Sequence, residues 1–145
     1  MRRLVKGILL LVLSFAPFLT AQASRVEPIQ NFANQSLSRA DGKPLTLEQV
    51  KKAILAAGSR QHRLWALSHV KDGAIVAKLD INNGKHLAVV DIAYTATGYS
   101  VKYRESTNLN FEKDENGVDV IHHNYNRFVR NLMKSIDQAA RNTQD

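Results

Sequence analysis

Apolar and polar residues alternate along the stretch from Arg63 to Arg104, and this alternation predicts four short antiparallel strands. Asn83-Gly84 lies between the second and third strands, and both residues favour the positive φ angles of a type I′ turn. A two-residue turn there sets the register so that Ile81 faces His86. A shift of one residue would expose the apolar set, so the pattern and the turn predict the same pairing.

Two further turns extend the same register. Lys71-Asp72-Gly73 is predicted to join the first two strands, and Thr95 to Gly98 the last two, which places Tyr94 opposite Tyr99. Apolar side chains then share one face: Trp65, Leu67, Ile75, Ala77, Leu79, Ile81, Ala88, Val90, Ile92, Tyr94, Tyr99, Val101 and Tyr103. A meander with one apolar face requires helices to cover it.

Helical periodicity appears on both sides of the predicted strands. Thr46 and Gln49 have the spacing of a capping box, and Gly58 is a typical residue for a helix C-terminus. A second helix is predicted over residues 124–141, with an apolar stripe that includes Phe128 and Leu132. The predicted fold is α+β: a two-layer sandwich whose four-stranded antiparallel meander is covered on one face by an N-terminal and a C-terminal helix. The alternative for the second helix is a free amphipathic arm.

The first 23 residues have the pattern of a secretory signal peptide. Arg2, Arg3 and Lys6 precede an apolar run, and Ala21-Gln22-Ala23 has the small-x-small spacing of a cleavage site. The run is short for a membrane anchor, which is the alternative interpretation. We therefore predict a leader over residues 1–23, an extended polar segment over 24–45 in which Val26–Phe32 is an edge strand or a loop, and one α+β domain over 46–145.

Charge and cysteine content limit the kinds of partner and of covalent or metal site that the chain can have. The chain has 20 basic and 13 acidic residues, and loss of the three basic residues of the leader leaves 17 against 13, a net charge of +4. Such mild basicity suits an anionic envelope component or an envelope protein. Basic and acidic residues are mixed, so no nucleic-acid partner is expected. The chain has no cysteine, which excludes disulfides, thiolate metal sites and a lipid-anchored leader.

No recognisable catalytic constellation is found. Ser106, His86 and Asp91 are the residue types of a hydrolytic triad, but no nucleophile elbow surrounds Ser106, and Asp91 falls on the opposite sheet face from His86. No two histidines have the i, i+4 spacing of a helical metal site, although His86 with His122 is a conceivable pair. No phosphate loop or dinucleotide fingerprint occurs. We therefore expect no catalytic residues, no metal and no cofactor.

A polar and aromatic cluster is predicted where the last strand and the final helix meet. The register places Ser106 near Leu87, at the same end of the sheet as His86. A final helix that begins there would gather six candidate ligand-binding residues: His86, Tyr103, Asn108, His122, Tyr125 and Asn126. The alternative is structural, with asparagines that stabilise turns or cap the helix and tyrosines that belong to the core.

The helix from Thr46 to Gly58, the tract Lys85 to Tyr94 and the runs around Tyr103 to Leu109 and Ile121 to Asn126 resemble a group of small secreted proteins of Gram-negative bacteria. Many members are taken to be lipoproteins of the cell envelope, and the group has no assigned function. The resemblance covers about residues 46–136, but this chain lacks the lipidation cysteine. It implies a soluble periplasmic protein with no stable membrane insertion once the leader is cleaved.

Two functions are compatible with these features. The first is a non-enzymatic binding or adaptor domain of the cell envelope, with a contact surface on the outer sheet face where Val76 and Val89 lie among charged residues. The alternative is a small-ligand-binding or weakly hydrolytic site around His86, His122 and Tyr125. The two differ in location, because the second lies at the end of the sheet and on its covered face.

Overall fold

The computed structural model describes residues 25–60 and 65–145, so the predicted leader lies outside the described residues. Ten elements follow one another along these residues: β1 (Val26–Pro28), β2 (Phe32–Ser36), α1 (Leu47–Arg60), β3 (Trp65–Lys71), β4 (Ala74–Ile81), β5 (His86–Tyr94), β6 (Gly98–Thr107), β7 (Glu112–Lys113), β8 (Asp119–His122) and α2 (Asn124–Arg141). The fold is α+β with antiparallel sheets, as predicted. None of the helices in these ranges has the length and apolar character that crossing a membrane requires.

The meander has the predicted register. Ile81 pairs with His86, and Tyr94 pairs with Tyr99. Asn82, Asn83 and Gly84 of the β4–β5 turn have positive φ angles, which asparagine and glycine tolerate best. The predicted apolar face is buried or packs against the buried core along its whole length, and both helices cover it.

The prediction of a single four-stranded sheet is wrong in the number of strands and of sheets. β2 pairs with β6 and makes a five-stranded sheet of order β2-β6-β5-β4-β3, while β1, β8 and β7 form a separate three-stranded sheet. The predicted edge strand over Val26–Phe32 is therefore two strands in two sheets. The strand β1 ends at Pro28, and the backbone N–H of Ile29 makes one further hydrogen bond to the carbonyl oxygen of Asp119 at 3.0 Å. These short polar strands carry little alternation, so their sequence did not predict the pairing.

A β-bulge in β6 corrects the register beyond Tyr103. Val90 pairs with Tyr103 but Val89 pairs with Glu105, so Arg104 is an extra residue in β6. Ser106 consequently faces Ala88, where an unbroken register had placed it opposite Leu87. The shift turns Ser106 to the covered face of the sheet, where its Oγ lies 2.9 Å from the Tyr103 hydroxyl.

Helix α1 begins as predicted and ends later. Thr46 Oγ1 accepts a hydrogen bond from Gln49 N–H at 3.1 Å, and Gln49 Oε1 accepts one from Thr46 N–H at 2.9 Å, which completes the capping box. The helix continues through Gly58 to Arg60, so Gly58 does not end it. A Cβ on Gly58 would lie 2.5 Å from Leu67 Cδ1. Gly58 therefore allows α1 to pack closely on β3.

Helix α2 has the predicted bounds and belongs to the core. Val129, Leu132 and Ile136 are fully buried, and α2 packs against α1. These contacts exclude the free amphipathic arm. Phe128 is only partly buried, so the predicted stripe does not lie wholly inside the core.

Candidate functional site

A cavity of about 330 Å³ opens where β4, the start of β5, the segment after β6 and the start of α2 come together. Its polar lining consists of Asn82, His86, Asn108, Asn110, His122, Asn124 and Tyr125. Its apolar lining consists of Leu79, Ile81, Leu109 and Phe128. Four of the six predicted site residues therefore share one cavity: His86, Asn108, His122 and Tyr125.

The His86 ring is held by the loop that follows β6. Its Nδ1 lies 2.8 Å from the carbonyl oxygen of Asn108, and the Asn108 side-chain amide donates to the carbonyl oxygen of Lys85 at 2.8 Å. Asn108 has a φ angle of 55°, a conformation that asparagine adopts more readily than other non-glycine residues. These two hydrogen bonds hold the loop after β6 against the start of β5 at the cavity wall.

The His122 ring is held by the first residue of α2. Asn124 N–H donates to His122 Nδ1 at 3.2 Å, so an imidazole side chain accepts one of the hydrogen bonds that the helix start offers. Burial lowers the pKa of His122, and the positive charges of His123, Arg25 and His86 lower this pKa further. Asn124 is the first residue of α2 and not its cap: the residue before the helix is His123, which has no side-chain capping bond.

Tyr125 has a buried hydroxyl without a hydrogen-bond partner among the described residues. The side chain is 1% exposed and lines the cavity, and its ring packs edge-on against Tyr103 at a centroid distance of 5.8 Å. Burial raises the pKa of the Tyr125 hydroxyl, and the neighbouring Tyr103 adds to this shift, so the group is protonated at neutral pH. Buried polar atoms without a partner are uncommon, and a buried hydroxyl of this kind beside a cavity marks a place where a ligand atom would gain a bond.

Tyr103 and Asn126 are not part of the cavity lining. Tyr103 bonds with Ser106, and its ring stacks on Phe111 at a centroid distance of 5.3 Å. Asn126 is fully buried on another side of α2, where its Oδ1 accepts from Gln30 N–H and its Nδ2 donates to Glu27 and to the carbonyl oxygen of Pro28. Its hydrogen bonds are satisfied, so Asn126 is a structural residue that holds β1 to α2.

The triad residues do not converge. Ser106 is bonded to Tyr103 on the covered face, and Asp91 lies on the outer face, where the Arg104 guanidinium pairs with it. Lys102 lies opposite Asp91 in the register, but the side chain that pairs with Asp91 is that of Arg104. Among residues 25–60 and 65–145, no three histidine or carboxylate side chains gather as a metal site would need.

The sequence did not reveal Asn82, Asn110 and Phe128 as lining residues. Asn82 lies in the β4–β5 turn with a φ angle of 57°, and Asn110 lies in the loop between β6 and β7 with a φ angle of 52°. The pairs of asparagines in Asn82-Asn83-Gly84 and Asn108-Leu109-Asn110 are the signal that would have found them. Phe128 was assigned to the core because its helical spacing is the same as that of Leu132.

The cavity has no charged side chain in its lining, and its titratable groups are the two histidines and one tyrosine. Its lining combines polar and apolar side chains, and its volume is at the lower end of the range usual for small-molecule pockets. The chain matches no protein-family model, no curated protein and no solved structure. The resemblance to secreted proteins of Gram-negative bacteria therefore stays a prediction.

Proposed function

We propose that this chain is a non-enzymatic binding domain of the bacterial cell envelope that holds a small ligand in the cavity between His86, His122 and Tyr125. The observation that carries the proposal is the buried hydroxyl of Tyr125, which lacks a partner at the wall of that cavity. A ligand with a polar atom near this hydroxyl would remove an unfavourable buried group, and its apolar part would cover Leu79 and Phe128.

Binding suits the site better than weak hydrolysis. Both histidines already use Nδ1 in bonds to backbone groups, and the Ser106 hydroxyl is paired with Tyr103 rather than with a histidine. A serine nucleophile requires a base within hydrogen-bond reach and a third group that orients the base. The described contacts supply the orienting bonds but no such nucleophile.

Filling the cavity tests the proposal. Phenol, which has an apolar ring and one hydroxyl, serves as the probe, with saturation-transfer NMR as the measurement. Phe128→Trp places a larger ring at the cavity wall, whereas Phe111→Trp makes the same change at an exposed side chain outside the lining. We expect Phe128→Trp to abolish transfer to phenol and Phe111→Trp to leave it unchanged. Equal transfer in the parent and in Phe128→Trp would refute the site.

The proposed location is the periplasm, reached through a cleaved leader over residues 1–23. Osmotic-shock fractionation of a Gram-negative host, followed by mass determination of the released protein, tests both parts. We expect a soluble product that begins at Ser24. A product that begins at Met1 and stays with the inner membrane would contradict the cleaved leader.

The outer sheet face is a second candidate for a contact, with an envelope protein as the partner. Val76, Leu87 and Val89 are partly exposed there, and Asp91 and Arg104 lie beside them. Pairing of the segment 25–37 does not cover this face, because β2 lies beside β6 within the same sheet. Val76→Asp with Val89→Asp should abolish pull-down of a partner from envelope extract without unfolding the chain. Unchanged pull-down would contradict this candidate.

A further inference from the structure

The hydrogen bond of His86 determines which of its ring nitrogens is free. A carbonyl oxygen can only accept, so the 2.8 Å contact between His86 Nδ1 and the Asn108 carbonyl requires a proton on Nδ1. A neutral imidazole has one protonated nitrogen. The remaining nitrogen, Nε2, therefore has a lone pair and can only accept a hydrogen bond.

The hydrogen bond of His122 determines the opposite arrangement. A backbone N–H can only donate, so the contact from Asn124 N–H requires an unprotonated Nδ1 on His122. The proton of the neutral ring is then on Nε2, which can only donate. The lowered pKa of His122 keeps this ring neutral at pH values where an ordinary histidine begins to take up a proton.

Two histidines of opposite hydrogen-bonding character thus line one cavity. No aspartate, glutamate, lysine or arginine lines the cavity, and the fixed charge that acts on His122, that of Arg25, lies outside the lining. Removing an ion from water without a partner is strongly unfavourable, whereas an uncharged group that both donates and accepts can bond to both rings.

We infer that the ligand is an uncharged, compact molecule with an apolar body and one polar end, and that this end donates to His86 Nε2 and accepts from His122 Nε2–H. Primary amides, cyclic amides and alcohols have this chemistry. The inference rests on the proposed function and narrows it, because it assigns the donor and the acceptor. Tyr125, whose buried hydroxyl has no partner among the described residues, lines the same cavity.

Three probes of nearly the same shape separate this class from its alternatives: benzamide, benzoate and benzamidine. Benzamide donates and accepts without charge, benzoate only accepts and is anionic, and benzamidine only donates and is cationic. Each is titrated at about pH 7.5. Titration extends to about 50 mM, because a probe of this size is expected to have a dissociation constant on the order of 10 mM.

We expect benzamide to shift the Asn124 amide resonance and to bind at least about tenfold more tightly than either charged probe, because each of those leaves one histidine unmatched. Phe128→Trp should abolish benzamide binding. Tyr125→Phe should weaken it, and Tyr99→Phe, which removes a buried hydroxyl outside the lining, should not.

The outcomes distinguish the inference from the proposed function. If benzoate or benzamidine binds as tightly as benzamide, and Phe128→Trp abolishes that binding, the site stands and the uncharged ligand class is wrong. If none of the three probes binds up to about 50 mM, well above the affinity expected for this size, both the ligand class and the proposed site are wrong.

Discussion

Two buried tyrosine hydroxyls are expected to have opposite effects on the stability of the fold. The Tyr99 hydroxyl donates to Asp137 Oδ1 at 3.1 Å and lies 3.4 Å from the carbonyl oxygen of Met133. Burial raises the pKa of Tyr99, and the Asp137 carboxylate adds to the shift. The Tyr125 hydroxyl is as deeply buried but has no partner among the described residues. The first hydroxyl stabilises the fold, and the second leaves a bond unmade.

Removing each hydroxyl should therefore change stability in opposite directions. Tyr99→Phe should lower the free energy of unfolding by about 1 kcal/mol, since a satisfied bond is lost. Tyr125→Phe should raise it by about 1 kcal/mol, since a buried polar group without a partner is removed. Urea denaturation of the parent and both variants measures this. A loss of stability in Tyr125→Phe would mean that its hydroxyl has a partner, such as a bound water.

The spacing of apolar residues in α2 predicted that the helix packs on the core, but it did not predict how deeply each residue is buried. Phe128 and Leu132 occupy the same stripe, yet Leu132 is fully buried and Phe128 borders the cavity. Periodicity identifies the face of a helix that turns inward, while the depth of each position depends on the loop that the stripe meets. The expectation that Phe128 anchors the core therefore applies to Leu132 instead.

We expect Leu132→Ala to lower the free energy of unfolding by roughly 2–5 kcal/mol, the usual range for a buried leucine. Phe128→Ala should have a smaller effect, because part of its ring already faces open space. Lys134→Ala, at an exposed position of the same helix, is the control. Thermal melts of the three variants give the order, and a larger loss for Phe128→Ala than for Leu132→Ala would contradict it.

The start of α2 should make stability depend on pH. His122 has a folded pKa below its ordinary value of 6.5, so the unfolded chain takes up a proton before the folded chain does. Stability should be fully present above about pH 6.5 and should fall as the pH drops from there toward the lower folded pKa. Protonation would also place two donors, the imidazolium N–H and Asn124 N–H, against each other.

The measurement compares urea midpoints of the parent and of His122→Gln at about pH 7.5 and pH 5, on either side of the ordinary histidine pKa. Glutamine keeps an acceptor for Asn124 N–H but does not titrate. We expect the parent to lose more stability than the variant on acidification. An equal loss in both proteins would mean that His122 does not contribute to the pH dependence.

The sequence predicted those elements whose pattern and turns agree. Alternation and Asn83-Gly84 both specified the β4–β5 register, and the capping box specified the start of α1. The bulge at Arg104 left no signal, because a single charged residue is compatible with an exposed position in either register. The sequence could not separate Asn126 from the cavity residues for a similar reason: its buried partners Gln30, Glu27 and Pro28 lie 96 to 99 residues away along the chain.

Hydrogen bonds join the segment that follows β2 to the C-terminal end of α2. Arg39 is 6% exposed and donates to both carboxylate oxygens of Asp41 and to Asp145 Oδ1 at 2.6 Å. Ala40 N–H donates to the carbonyl oxygen of Arg141 at 3.0 Å. Hydrogen bonds to Asp145 and Asp41 raise the pKa of Arg39, so its charge is permanent. The segment after β2 is thereby fastened to the end of α2.

Arg39→Met keeps much of the side-chain volume and removes the guanidinium bonds to Asp41 and Asp145, while the backbone bond from Ala40 to the end of α2 can remain. We expect a lower thermal midpoint, and a smaller difference between variant and parent at high salt, because part of the contribution is an ion pair to exposed carboxylates. Lys134→Met, on the exposed face of α2, makes the same kind of change without these partners and should melt like the parent. An Arg39→Met midpoint equal to that of the parent would show that the fastening is unimportant for stability.

The pairing of β1 with β8 determines when this part of the fold can form during synthesis of the chain. Gln30 and Asn126, which join the first strand region to α2, are 96 residues apart. At synthesis rates of about 5–20 residues per second, the first strand waits roughly 5–20 seconds before its partner exists. Since α2 and β8 also supply His122 and Tyr125, the cavity is completed at the same late stage of synthesis at which β1 can pair with β8.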